Sequence, residues 1–285
     1  MKNLAVVILI LTVFDILTWN ILFRAIRKGA ETELYFLNVG QGDSSLIVLP
    51  GSVQILVDGG PPNGQLLSEL HDVLGREDHY IDLLIMTHPQ LDHFGGFIAL
   101  LDSVNVGAFI TNGRAGDTGS YAVLRNKLAA KRIPYITLRE GDYLRYGASK
   151  MKFLAPSPLE LMNEELNDTC LVFQLFADGM SALYTGDIGS AVEKRLASKN
   201  IKSSILKVSH HGSRFSSTAE FLRSVDPLIA TIGVGKNRYG HPTPAAIGRL
   251  EDVGAKVFRT DRNGTIRISR KNLEMEVFTK TQFKQ

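Results

Sequence analysis

The residues best suited to chemistry fall in four short stretches. Thr87-His88-Pro89-Gln90-Leu91-Asp92-His93-Phe94-Gly95-Gly96 supplies two imidazoles and a carboxylate within six residues, and then two glycines that let the backbone turn into a helix. Imidazole nitrogen and carboxylate oxygen together suit zinc or manganese. The same stretch also reads as a capped helix start, with Asp92 as the capping residue. Tyr184-Thr185-Gly186-Asp187 ends an apolar run on an acid, which fits a turn, a helix cap or a ligand. Lys207-Val208-Ser209-His210-His211-Gly212-Ser213 carries adjacent histidines; on an extended backbone they point opposite ways, so one of them faces a given site. Asn237-Arg238-Tyr239-Gly240-His241-Pro242 adds a loop histidine. Five of the seven histidines fall in these stretches, each after a predicted strand, where a rigid scaffold meets a free loop.

The elements that must position them are short β-branched runs punctuated by Gly, Pro and Asp. Strands are expected over Leu34–Val39, Ser44–Leu49, Val53–Val57, Leu83–Thr87, Ala108–Thr111, Lys152–Ala155, Cys170–Phe176, Ala182–Thr185, Ile205–Val208, Ile229–Ile232, Lys256–Arg259, Thr265–Ile268 and Glu274–Phe278. Helices are expected over Leu66–Leu74, Gly96–Asp102, Tyr121–Lys131, Ala191–Ser198, Thr218–Arg223 and Pro244–Val253. Strands interleaved with helices in this way argue for an α/β domain of layered sheets.

Composition narrows the classes. With 285 residues, 44% hydrophobic and 21% charged, the chain is no disordered tail. One cysteine, Cys170, excludes an internal disulfide framework and a Cys-rich structural zinc site. Four of the 32 basic residues and one of the 29 acidic residues lie in 1–30, which leaves 28 of each in the body. A neutral body is no bulk polyanion binder, so any nucleic-acid affinity must come from a local patch.

Residues 1–30 read as a membrane anchor, with a cleaved signal peptide as the alternative, and 31–285 as the domain that carries the stretches above. Leu4 to Phe23 hold a single charge, Asp15, over a length that matches a bilayer core as a helix. Trp19 suits an interface, and Arg24, Arg27 and Lys28 form a basic stop behind it.

Taken together, these stretches resemble the metallo-β-lactamase superfamily, and within it the hydrolase domain of ComEC-type competence (DNA-uptake) proteins. The matching phrases are Asn38-Val39-Gly40-Gln41-Gly42-Asp43-Ser44, Val57-Asp58-Gly59-Gly60, Thr87 to Gly96, Asn167-Asp168-Thr169, Thr185-Gly186-Asp187-Ile188, His210-His211-Gly212-Ser213, Gly240-His241-Pro242 and Arg259-Thr260-Asp261. The resemblance implies an αββα four-layer sandwich, preceded here by the single N-terminal transmembrane helix, with a binuclear site at one edge of the strands. His88, Asp92, His93, Asp187 and one of His210 and His211 would hold two divalent ions, zinc or manganese, with Asp187 between them. Gln90 stands where the family places a second histidine, which weakens one metal position.

The implied activity is hydrolysis of a phosphodiester, with DNA or a related molecule as partner. Asp92 would orient the attacking water, and Ser213 and His241 would hold phosphoryl oxygens or serve the leaving oxygen. Asn167, Lys207, Arg214 and Arg238 would bind substrate. Analogy to DNA uptake places the body outside the membrane. The same ligands also serve a lactamase, thioesterase or phosphocholine esterase, and a decayed site would leave a binding module.

Overall fold

Fifteen strands and their flanking helices are set by period-two alternation in residues 33–279. The computed structural model describes residues 11–19 and 31–280. Strands β1 (Glu33–Phe36), β2 (Ser45–Leu49), β3 (Val53–Val57), β4 (Tyr80–Ile85), β5 (Asn105–Thr111) and β6 (Tyr135–Thr137) join the late strands β14 (Ile266–Lys271) and β15 (Glu274–Thr279) in one eight-stranded sheet. Its order is β15-β14-β1-β2-β3-β4-β5-β6. Strands β7 (Tyr143–Tyr146), β8 (Ser149–Ala155), β9 (Val172–Ala177), β10 (Met180–Tyr184), β11 (Ile205–Lys207), β12 (Ile229–Ile232) and β13 (Lys256–Arg259) form the second sheet, in reverse chain order. Each sheet changes from antiparallel to parallel partway across. The parallel ladders are β3 to β6 in the first sheet and β10 to β13 in the second.

Alternation along single strands separates three buried layers. Leu34 and Phe36 of β1, Ile55 and Val57 of β3, and Phe173 and Leu175 of β9 meet between the sheets. The intervening Tyr35 and Leu56 face the outer side, under helices α2 (Gln65–Leu74), α3 (Leu91–Ser103) and α4 (Gly119–Ala130). On the far side Val172 and Leu183 pack with residues of α5 (Ser190–Ala197), α6 (Ala219–Val225) and α7 (Pro244–Asp252). A one-turn helix α8 (Thr260–Asn263) follows β13. Helix, sheet, sheet and helix are therefore stacked with a core at each contact, the expected αββα order.

Several boundaries differ from the sequence reading, for local reasons. β6 and β7 were not expected; both are short, largely solvent-facing edges, so they lack a buried apolar signature. α3 begins at Leu91 rather than Gly96, which puts Asp92 and His93 in its first turn. Gly95 and Gly96 therefore do not turn the chain into the helix. They lie inside it, where a Cβ on Gly96 would stand 2.1 Å from the Gly59 carbonyl oxygen. The Gly96 amide instead donates to the Gly60 carbonyl at 2.9 Å, so α3 sits directly on the backbone that follows β3.

The membrane expectation does not stand. Among the described residues no helix is long and apolar enough to cross a membrane. Of the segment Leu4–Phe23 the described part, residues 11–19, is helical (α1). Residues 4–10 and 20–23, and the basic stop at 24–28, lie outside the described residues. The membrane-anchored, extracytoplasmic placement falls with the anchor.

Gly96→Ala is expected to lower stability by about 1–3 kcal/mol or more, because the added methyl meets backbone that cannot yield. Gly248 within α7 meets nothing within 4 Å, and Gly248→Ala is expected to raise stability by about 0.5–1 kcal/mol through helix propensity. Urea midpoints of the two variants, compared with the parent, measure both signs.

Candidate metal centre

The functional loops leave the C-terminal ends of β3, β4, β10, β11 and β12, where open α/β sheets place ligands. Asp58 follows β3 directly in a left-handed conformation, φ 57°. Its carboxylate accepts the Thr87 amide and hydroxyl, both at 2.8 Å, and lies 2.9 Å from His93 Nδ1. An oxygen that only accepts puts the proton on Nδ1, so His93 Nε2 is left as a lone-pair donor. That nitrogen faces Asp187 Oδ2 at 3.3 Å.

His211 is set the same way from the second sheet. Its Nδ1 donates to the Gly233 carbonyl at 2.7 Å, with Asp43 Oδ1 on the same side at 3.4 Å. Its Nε2 looks inward to Asp92 Oδ2 at 3.4 Å and Asp187 Oδ2 at 3.5 Å. Ligand-type atoms of Asp43, His93, Asp187 and His211 all lie within 4.8 Å of one another. Asp43 joins that group from behind, beside His211 Nδ1, and its other oxygen takes the Lys207 ammonium. It braces the ring rather than facing the centre.

His88 is fully buried, with its ring 4.2 Å from that of His93. The Nε2 atoms of His88, His93 and His211 and Oδ1 of Asp187 are buried without a hydrogen-bond partner. Orphaned buried polar atoms are uncommon, and those of His93, His211 and Asp187 belong to one buried cluster that a cation would satisfy, with the His88 ring beside it. Imidazole nitrogen beside carboxylate oxygen fits a divalent ion of the zinc or manganese type.

The electrostatics agree. Burial alone would keep His211 neutral, but Asp187 and Asp43 overcome it and raise His211 to about 10. Asp187 and Asp58 likewise hold His93 well above its ordinary value against burial. Burial pushes Asp187 up, yet His93 and His211 hold it well below the usual carboxylate range. Asp92 is brought down to about 2 against burial by its bond to His211 and the charge of His93. His88 drops to about 3 through burial and the charge of His93. A site that draws protons onto histidines beside ionised acids is one where a metal ion can replace them.

Above the cluster opens a cavity of about 520 Å³ lined on one side by Gln41, Pro61, Pro62, Gln90, Leu91 and Asp92. Asn167, Asp187, His210, His211, Tyr239 and His241 complete it. His210 and His211 are not on extended backbone: both are left-handed, at φ 50° and 51°. The curled chain lets both rings reach the cavity, His211 in the cluster and His210 against His241 with centroids 5.6 Å apart. Gly212 continues the turn at φ 78°, where a Cβ would meet Pro242 at 2.5 Å.

The other predicted residues divide sharply. Asn167 and His241 line the cavity, and each keeps a buried polar atom unpartnered, Oδ1 and Nδ1. Ser213 is 2% exposed and accepts the Phe215 amide at 3.3 Å, so it shapes the turn and does not line the cavity. Lys207 is no part of a basic lip. It is 5% exposed, paired with Asp43 and bonded to the Val208 carbonyl. Arg214 and Arg238 are exposed and off the cavity lining; Arg214 lies over the Phe215 ring at 4.6 Å. Gln90 sits at the N-cap of α3 and on the cavity wall. Asp43, Asp58 and Tyr239 were given no role from sequence. The two acids had a signal, a carboxylate beside glycine at a strand end, but nothing in the sequence said that each backs a histidine.

Among solved structures, the metallo-β-lactamase fold protein YhfI from Bacillus subtilis aligns with 83% of this chain and 100% of its own at a TM-score of 0.56 and 12% identity. Igni18, a metallo hydrolase from Ignicoccus hospitalis, covers 84% and 100% at 0.56 and 14% identity. These likenesses concern the fold. ComE operon protein 3 of Bacillus subtilis is 30% identical over 86% of this chain, and Competence protein ComA of Neisseria gonorrhoeae 30% identical over 83%. The chain spans about a third of the length of these relatives, 34% and 32%. The Metallo-beta-lactamase superfamily matches residues 37–236, from just after β1 through the histidine turn to the loop after β12. With that match across both sheets and the buried histidine–aspartate cluster, the chain belongs to the metallo-β-lactamase superfamily and is homologous to competence proteins of the ComEC type.

Proposed function

We propose that the chain is a metal-dependent hydrolase of phosphodiesters. The observation that carries this is the buried cluster in which Nε2 of His93 and of His211 face Asp187 at 3.3 and 3.5 Å, beneath a cavity that Asp187 and His211 line. His88, Asp92, His93, Asp187 and His211 would hold up to two divalent ions, zinc or manganese, with Asp187 shared. When bound, such ions supply Lewis acidity and a water of lowered pKa.

The chain's own residues do the rest. Asp58 and the Gly233 carbonyl keep the two Nδ1 protons in place, so His93 and His211 present fixed lone pairs. Asp92, held at about 2, is too weak a base to take a proton near neutrality; it positions the attacking water by accepting its hydrogen bond. His241 lies below its ordinary value through burial and the charges of His210 and His211, so as a neutral ring it donates a hydrogen bond to a phosphoryl or leaving oxygen. Asn167 offers its amide to a non-bridging oxygen. Exposed Arg214 and Arg238 provide positive charge outside the cavity for further phosphates. Homology to DNA-uptake proteins favours a nucleic-acid substrate, and the phosphodiester reading is chosen over other esters on that ground.

The deciding experiment is turnover of bis(p-nitrophenyl) phosphate by the purified protein with Mn²⁺ or Zn²⁺. Asp187→Ala is expected to abolish both turnover and calorimetric metal binding, and thioester cleavage without phosphodiester cleavage would overturn the assignment. Asp58→Ala frees the His93 ring and is expected to weaken metal binding by about 10–100-fold, the usual cost of losing a carboxylate behind a ligating histidine. The chelated protein has a pH signature as well. The raised His211 contributes stability that is full below about 6.5 and lost as pH rises towards about 10, and the raised His93 acts in the same direction. Its melting temperature is therefore expected to be lower at pH 9.5 than at pH 7, with a smaller fall when metal replaces the protons; thermal melts with and without chelator measure this.

A further inference from the structure

Tyr239 is 74% exposed although it lines the same cavity as Asp92, Asp187 and His211. One face of its ring lies on His241, with centroids 5.7 Å apart and planes 30° apart. His241 in turn meets His210 edge-on. The rings thus form a wall from solvent to the buried centre, and among the described residues no other ring or cation covers Tyr239.

The loop that carries it is braced. The Asn237 side chain accepts the amides of Tyr239 at 3.0 Å and His241 at 3.1 Å, and donates to the carbonyls of Gly235 at 2.9 Å and His241 at 2.8 Å. Lys236 and Arg238 are exposed on either side. An apolar ring held rigid in water has already lost the freedom that binding would otherwise remove. Phe215 is also exposed, at 65%, but Arg214 caps its face and it does not line the cavity.

We infer that Tyr239 is a stacking platform for an unpaired nucleobase, so that the substrate of the adjoining centre is a single-stranded nucleic acid. This rests on the phosphodiester reading. An aromatic face beside positive charge is how proteins hold single strands without reading sequence. A duplex offers no free base face in its interior unless a base is flipped out. Exposed Lys236 and Arg238, which precede Tyr239 in the same loop, supply positive charge for the phosphates of the strand.

The test uses a short oligothymidylate with hydrolysis-resistant phosphorothioate links, its abasic counterpart and a duplex of the same length, read by fluorescence anisotropy with metal present. Cleavage of the ordinary versions is followed in parallel. The protein is expected to prefer the base-bearing strand over the abasic one by at least about fivefold, the low end of one stacked base. Tyr239→Ala and Tyr239→Leu should erase that preference, and Tyr239→Phe should keep it, because the π face survives and the hydroxyl is not needed. An unchanged preference in Tyr239→Ala, or a duplex held as tightly as the strand, overturns the inference. If bis(p-nitrophenyl) phosphate is cleaved but the protein shows no base preference, stacking alone is removed. If neither strand nor small diester is turned over, the phosphodiester reading falls and takes this inference with it.

Discussion

An excess of negative charge at the ends of the two sheets is what the surrounding structure has to satisfy. Asp43, Asp58 and Asp187 are each at most 3% exposed, and Asp92 stands beside them in the first turn of α3. Carboxylates removed from water are costly unless countered. Lys207 answers Asp43, and among the described residues no other lysine is paired with these acids. What remains can be balanced by protons on imidazole or by a cation, and both solutions need the histidines aimed at Asp187. The hydrogen bonds that Thr87 and His93 donate to Asp58, and His211 to the Gly233 carbonyl, exist in that geometry for that reason.

The aim is delivered by backbone rather than by the ligands themselves. β3 and β4 run parallel, so Asp58 and Thr87 emerge side by side, and one carboxylate reads two neighbouring strand ends. α3 can place His93 above them only because Gly96 lets it rest on the Gly59 carbonyl. From the other sheet, β10 and β11 deliver Asp187 and His211 by the same parallel logic. The centre is thus a seam between two halves, each supplying one braced histidine. Cys170 sits under this seam, its sulfur accepting the Asp187 amide at 3.2 Å, while burial and the nearby Asp187 charge keep the thiol protonated.

How much of this could be read in the chain follows from what sequence encodes locally. Val53–Val57, Ile229–Ile232 and Lys256–Arg259 were placed to the residue, because apolar alternation bounded by glycine or aspartate is a local signal. The edge strands β6 and β7 escaped, since a strand that buries nothing on one face leaves no pattern. His93, Asp187 and His211 were legible as ligand types, and the resemblance ordered them. Lys207 was misplaced for a physical reason: among Lys, His and Arg in one stretch it looks like surface charge, and its partner Asp43 lies 164 residues away. Asp58 is hidden behind His93 for the same kind of reason, being 35 residues away in the chain. The anchor reading took apolar length as sufficient, and among the described residues no helix is long and apolar enough to cross a membrane.

The paired left-handed residues at 210 and 211 have a consequence for how this segment tolerates change. A β-branched side chain is excluded there by backbone geometry before any chemistry is considered, since the left-handed region brings Cβ against the carbonyl. Asparagine, aspartate and glycine would accept the dihedrals but bring no imidazole. Substitution is therefore screened by two independent filters at the same two positions, and at 211 only histidine passes both. A turn of this kind cannot drift gradually into another function. It either keeps its residues or is replaced together with the Gly212–Pro242 contact that supports it.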